Sequence, residues 1–225
     1  MLVLFTGGRG SGKSTVARAL YDELDAGCVD YVSQSSWRLF ANNIFKKIVF
    51  IFYFLTFFRL KICLVFFSRF FRDFKNGRSR GGVARIYMPC IFSYHITRLE
   101  KNKVKFVFYD SDFLTWSSDK AIDGCFDPAE VHKFYKDILL PKVHDLLVVV
   151  LDTPVNCAVV RWRIRDNKLL TSAEQRMWIE QRGAWKNARN KVLEVVSTIP
   201  NVKVLCLDGL DSPEENANKI IDLLG

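Results

Sequence analysis

Gly7-Gly8-Arg9-Gly10-Ser11-Gly12-Lys13-Ser14 satisfies every fixed position of the pattern GxxxxGK[ST], and its surroundings decide how the chain is read. Leu2-Val3-Leu4-Phe5 before it is a short apolar run suited to a buried strand. Residues 15 to 24 after it place Val16, Ala19, Leu20 and Leu24 on one helical face. A strand, a glycine-rich turn and a helix in this order form a phosphate cradle. Gly7, Gly8, Gly10 and Gly12 let the backbone wrap anionic oxygens, and Arg9, Ser11 and Thr15 complete the stretch that contacts the nucleotide. The loop amides and the helix N-terminus supply partial positive charge, while Lys13 brings a full charge toward the β- and γ-phosphates. Ser14 is placed to ligate Mg²⁺. The chain is therefore expected to bind ATP with Mg²⁺.

Outward from this loop, short apolar runs alternate with helical patterns. Strands are expected at residues 28 to 32, 104 to 110, 145 to 151 and 202 to 207 in addition to 2 to 5. Asp127-Pro128 and Thr171 or Ser172 read as helix starts, and Ser212-Pro213-Glu214-Glu215 caps a terminal helix. This alternation predicts one α/β domain over residues 1 to 225: a three-layer α/β/α P-loop fold around a mainly parallel, five-stranded sheet. The 225 residues suffice to bury such a core.

Residues 37 to 100 break the pattern and read as a helical insertion on the acceptor side, rich in Phe between 44 and 74. The formal net charge is +9, with much of the excess between Arg38 and Lys105. Ile48 to Phe58, the longest uncharged run there, is too short to span a bilayer, which takes about 20 apolar residues. At helical spacing, Lys46, Lys47, Lys61, Arg69, Arg72 and Lys75 fall in one sector opposite a broad aromatic face. Two readings stand side by side. The segment is a helical hairpin walling the acceptor pocket, or residues 44 to 75 lie on an anionic membrane surface, Phe in the headgroup boundary and basic groups on the lipid charge. With the loop beginning at residue 7, no cleaved targeting peptide is expected, which places the body in the cytoplasm, peripherally membrane-associated if the second reading holds. Six scattered cysteines without a CxxC pair read as buried, reduced thiols, and no metal site beyond nucleotide-bound Mg²⁺ is implied.

Phosphoryl transfer needs phosphate clamps, Mg²⁺, an oriented acceptor and positive charge about the moving group. The strand at residues 104 to 110 ends in Asp110, which in a parallel sheet projects to the same edge as the loop. Asp110 is placed to share Mg²⁺ with Ser14. Asp110 or Asp112 is placed to take the proton of an acceptor hydroxyl, and the choice stays open. Arg161 and Arg165, at i and i+4, share a helix face ahead of Asp166-Asn167-Lys168, which suits a lid over residues 161 to 185 that brings arginine to the phosphates. A solvated basic face is the alternative. Arg176 and Arg182 carry weaker signals, and Arg9 is expected to point at phosphate or at the acceptor.

The order of the loop, Tyr109-Asp110 and residues 146 to 163, with Leu151-Asp152-Thr153-Pro154 leading into the arginine-bearing helix, resembles the P-loop nucleotide kinases, thymidylate kinase in particular. The resemblance covers residues 1 to 30 and about 104 to 225. It implies an ATP-dependent phosphotransferase with Lys13, Asp110, Asp112, Arg161 and Arg165 as catalytic residues, acting on a nucleotide, nucleoside or sugar-type acceptor. Thymidylate kinases usually carry Asp-Arg where this chain has Asp110-Ser111, and often Asp in place of Arg9. The departures lie on the acceptor side. A P-loop ATPase or switch, stimulated by a membrane or partner and without a small acceptor, is the competing class. No NKxD motif points to a GTPase and no LSGGQ signature to an ABC ATPase. The basic tract contains no recognisable nucleic-acid-binding module, so the partners expected are ATP, a small acceptor, the membrane surface and a second copy in a homodimer.

Overall fold

The computed structural model of the chain describes residues 1–24, 27–32, 96–101, 104–109 and 128–225. Among the described residues, five strands form one sheet in the order β2-β3-β1-β4-β5, with β1 Leu2–Thr6, β2 Val29–Val32, β3 Phe106–Tyr109, β4 Leu146–Asp152 and β5 Val202–Asp208. Every pairing is parallel, and Leu2 stands in register with Val107 on one side and Leu146 on the other. Parallel strands deliver their carboxyl ends to one edge, so the turns after β1, β4 and β5 open on the same side.

Central strands of such a sheet are covered on both faces and read as unbroken apolar runs. Leu2 to Phe5 and Leu146 to Leu151 are all buried. Val3, Phe5, Phe106, Phe108, Leu147, Val149 and Leu151 share one face with Val16, Ala17 and Leu20 of α1 (Lys13–Glu23) and with Ala217 and Ile220 of the C-terminal helix Pro213–Leu224. Alternation sends Leu2, Leu4, Val107, Leu146, Val148 and Val150 to the opposite face. On that side lie the helical run α2 (Pro128–Lys133, Phe134–Leu139 and Leu140–Val143), α3 (Val155–Arg165) and α4 (Ser172–Val196), and the C-terminal helix is α5. The result is the three-layer α/β/α arrangement that the alternating pattern predicts.

Local chemistry explains the boundaries. Thr171 rather than Ser172 caps α4: its Oγ1 accepts from the Glu174 amide at 3.3 Å while Glu174 Oε2 accepts from the Thr171 amide at 2.8 Å. Ser212 and Glu215 form the same reciprocal pair at the start of α5. The middle of α2 is π-helical over Phe134–Leu139 instead of plainly α-helical. Pro141, with no N–H for the carbonyl of residue 137, interrupts the α-helical ladder where the wider bonding runs.

One expectation needs correction. Cys28 and Cys206 are exposed and Cys157 is half-buried. Cys206 is exposed because β5 is an edge strand with only β4 beside it, a consequence of strand order. Asp110, Asp112, the tract 44–75 and nearly all of 37–100 lie outside the described residues. Within 96–101, Arg98 Nη1 meets the buried Asp30 at 2.7 Å, joining a helical segment at 96–100 to β2. Among the described residues no helix is long and apolar enough to cross a membrane.

Candidate nucleotide-binding cleft

The loop after β1 is shaped by contacts that only glycine permits. Gly10 has φ +83°, and a Cβ there would run into the Ala158 carbonyl of α3 and come within 3.1 Å of the Trp162 amide nitrogen. Gly12, at φ 95°, turns the chain into α1, whose Thr15 and Val16 amides both donate to its carbonyl at 2.9 and 3.0 Å. Thr153, in the turn after β4, donates to the Ser11 carbonyl at 3.1 Å. The loop is therefore clamped between α3 and the turn after β4. Lys13 folds back over it, Nζ donating to the carbonyls of Gly7 at 2.6 Å and Gly8 at 3.1 Å.

Above the loop lies a cleft of about 840 Å³, within the range of pockets that bury a small organic ligand. Every residue from Gly7 to Thr15 lines it, with Arg161 and Arg165 of α3 and with Trp178, Gln181, Arg182 and Trp185 of α4. Gly209, Asp211, Pro213 and Asn216 close the side formed by β5 and α5. The structure thus brings together the nine loop residues and both arginines singled out in the sequence.

Both arginines of α3 have partners beside the cleft. Arg161 Nη1 donates to the Gly209 carbonyl at 2.7 Å, tying α3 to the turn after β5. Arg165 Nε donates to Asp166 at 2.8 Å. Arg9 lines the cleft, and its guanidinium lies 5.9 Å from the centre of the buried Trp162 ring. An indole attracts cations through its π face, so Trp162 gives this loop arginine a partner.

Trp162, Trp178 and Trp185 were not among the site residues that the sequence suggested, and Arg182 carried only a weak signal. Trp162 and Trp178 pack with centroids 4.7 Å apart. Arg182 donates through Nη1 to the Arg9 carbonyl and lies 5.2 Å from the Trp162 ring centre. Burial in the first place, then Arg9 and Arg165 beside it, push the Arg182 guanidinium down to about 10. The spacing of Trp178, Arg182, Trp185 and Arg189 at i, i+4, i+7 and i+11 was a visible face of α4, but nothing local to it shows what that face meets.

The donor set suits a phosphate-bearing ligand: loop amides, Lys13 and several guanidinium groups border the cleft, and Ser11 Oγ and Arg182 Nε are buried without a partner among protein atoms. Ser14 lines the same cleft. Asp110, its expected partner for Mg²⁺, is outside the described residues, and among those residues no group of three or more His, Cys, Asp or Glu side chains forms a metal site.

No family model and no curated protein sequence matches the chain. Solved structures do. The deoxyadenosine kinase of M. mycoides with bound dATP superposes with a TM-score of 0.52 at 13% identity, covering 100% of this chain and 99% of that one. The YorR protein of Bacillus subtilis, in complex with phosphorylated GDP, gives 0.50 at 16% identity over 100% and 95%. At such identities the likeness concerns architecture, and it agrees with the strand order and the loop. The chain has the fold of the P-loop nucleoside and nucleotide kinases.

Proposed function

We propose that the protein is a Mg²⁺- and ATP-dependent phosphotransferase acting on a small acceptor of the nucleoside, nucleotide or sugar type. One observation carries the reading: an intact phosphate-binding loop forms the floor of a cleft whose walls carry Arg161, Arg165 and Arg182. In the reaction, an acceptor hydroxyl oxygen bonds to the γ-phosphorus of ATP, the bond from that phosphorus to the β–γ bridging oxygen breaks, and ADP leaves. The hydroxyl proton passes to Asp110 or Asp112. Lys13 and the loop amides hold the donor phosphates, and Arg161 and Arg165, in a lid over residues 161 to 185, counter the charge on the transferring group. Ser14 and Asp110 would hold Mg²⁺, which when bound neutralises phosphate oxygens.

The thymidylate kinase-like layout of the sequence favours this reading over an ATPase without an acceptor, since it supplies a carboxylate at the end of β3. The aromatic, basic composition of residues 44 to 75 supports peripheral attachment to an anionic membrane, where the acceptor would be met; absence of co-sedimentation with anionic vesicles would remove that part. For the central claim, purified protein with Mg²⁺ and ATP is screened for ADP formation that depends on an added nucleoside, nucleotide or sugar. Lys13→Ala is expected to lower transfer by about 10²–10³-fold, the scale set by removing one charge-stabilising donor. ATP binding without acceptor-dependent ADP from any such compound would overturn the kinase reading and leave the ATPase.

A further inference from the structure

We propose that Arg182 is a direct ligand of the donor's polyphosphate tail, presented by the helix after the lid and held ready by Arg9 and Trp162. This rests on the nucleotide-binding reading of the cleft and adds a residue to it.

Three features of the geometry point the same way. Arg182 spends Nη1 on the Arg9 carbonyl, which places its guanidinium against the loop, with Nη1 3.5 Å from where a Cβ on Gly8 would stand. Its Nε is buried without a partner among the described residues, and the residue lines the cleft. Around it the charge does not balance: Arg9, Arg182 and Lys168 lie 5.9, 5.2 and 4.9 Å from the centre of the same Trp162 ring, and Arg165 is close by. The carboxylate among them, Asp166, already accepts from Trp162 Nε1 at 2.6 Å and from Arg165 Nε at 2.8 Å. Among the described residues, four cations stand against one carboxylate around this ring, an arrangement that a polyanion completes.

The contrast within α4 excludes a merely structural surplus. Arg189, two turns further along the same face and almost fully buried, reaches Asp152 at 3.7 Å and Asn190 at 3.0 Å. Where α4 needs a buried arginine for packing, the fold supplies its acceptors. At Arg182 it supplies one backbone carbonyl and an aromatic face, leaving the planar fork that suits phosphate oxygens.

The test is calorimetric titration of the full chain with ATP and, separately, inorganic tripolyphosphate, beside thermal melts. Arg182→Gln is expected to weaken both ligands by about 10- to 100-fold, the worth of a charge-assisted bond, while melting no lower than the parent in the absence of anion. Arg182→Lys keeps the charge but loses the fork, and is expected to fall between. Lys191→Gln, on an exposed part of α4 away from the cleft, serves as the unchanged control. If Arg182→Gln binds both ligands within about twofold of the parent while Lys13→Ala abolishes binding, the Arg182 assignment is wrong and the nucleotide site stands. If it melts far lower yet keeps its affinity, the residue is a strut. If ATP alone weakens and tripolyphosphate does not, Arg182 serves the nucleoside end and the assignment to phosphate fails. A parent that binds neither ligand overturns the cleft reading along with it.

Discussion

The two helices that wall the cleft are seated by different means. α3 meets the phosphate loop backbone to backbone: Gly10 lies against the Ala158 carbonyl and the Trp162 amide, with no room for a side chain between them. α4 is held by side chains, through Lys186 and Arg189 to Asp152 at 2.7 and 3.7 Å and through Trp178 packed on Trp162. A backbone seat accepts almost no change in composition, because any Cβ displaces the chain. A side-chain seat can shift or repack, so α4 is the wall whose chemistry can vary while the loop stays intact.

The sharpest way to break this contrast is Gly10→Ala. It adds a methyl where the Ala158 carbonyl stands and forces a left-handed backbone on an L-residue. Strain and overpacking together are expected to cost about 2–5 kcal/mol, read as a lower urea midpoint, with ATP affinity lost in parallel. If the variant keeps both stability and affinity, α3 is not seated as described. Asp152→Asn attacks the other wall. It removes the carboxylate shared by Lys186 and the buried Arg189, but Asp152 is itself 46% exposed, so the expected loss is only about 1–2 kcal/mol. ATP affinity should fall far less than in Gly10→Ala. Equal effects of the two substitutions on nucleotide binding would erase the distinction between the helices.

What was legible in advance follows the same division. The loop, β1 and α1 are one continuous stretch whose signals are local: apolar run, glycines, Lys13-Ser14, then helical spacing. Their geometry came out as read, and so did the parallel order implied by alternating elements, while the cap of α4 fell on Thr171, one of the two residues the sequence offered. Arg161 and Arg165 reach the cleft as their spacing suggested, but their partners, the Gly209 carbonyl and Asp166, depend on where β5 and the following turn lie. Arg182 carried only a weak signal because its importance comes from a loop 173 residues away in sequence. Its own neighbourhood reads equally well as an amphipathic helix. The exposure of Cys206 escaped for a related reason: strand order decides which strand is an edge, and one lysine, Lys203, in an otherwise apolar run from Val202 to Leu207 does not announce it. Asp110 and Asp112, the residues on which the acceptor chemistry depends, lie beyond the described residues, so that half of the site rests on the sequence alone.

The smallest expected effect concerns the joint between the two walls. Asp166 follows α3 directly and accepts from Arg165 and from Trp162, the ring on which α4 packs. The hydrogen bond from Arg165, first, holds its carboxyl below the usual carboxylate range, with the Trp162 bond and the charges of Arg165 and Arg9 acting in the same sense. A carboxyl whose value is depressed in the folded chain binds protons more readily when unfolded. Its contribution is therefore complete above the unfolded value of about 4 and is lost as pH falls through the lower, folded value. The stability difference between the parent and Asp166→Asn should be constant from about pH 7 to pH 5 and shrink below about pH 4. Because the carboxyl is only partly buried, that difference should also diminish with added salt. Urea titrations at several pH values measure it. A difference that persists unchanged at the acid end would mean that the shape of the Asp166 side chain, and not its charge, joins α3 to α4, and the joint would then belong with the backbone seat instead of the electrostatic one.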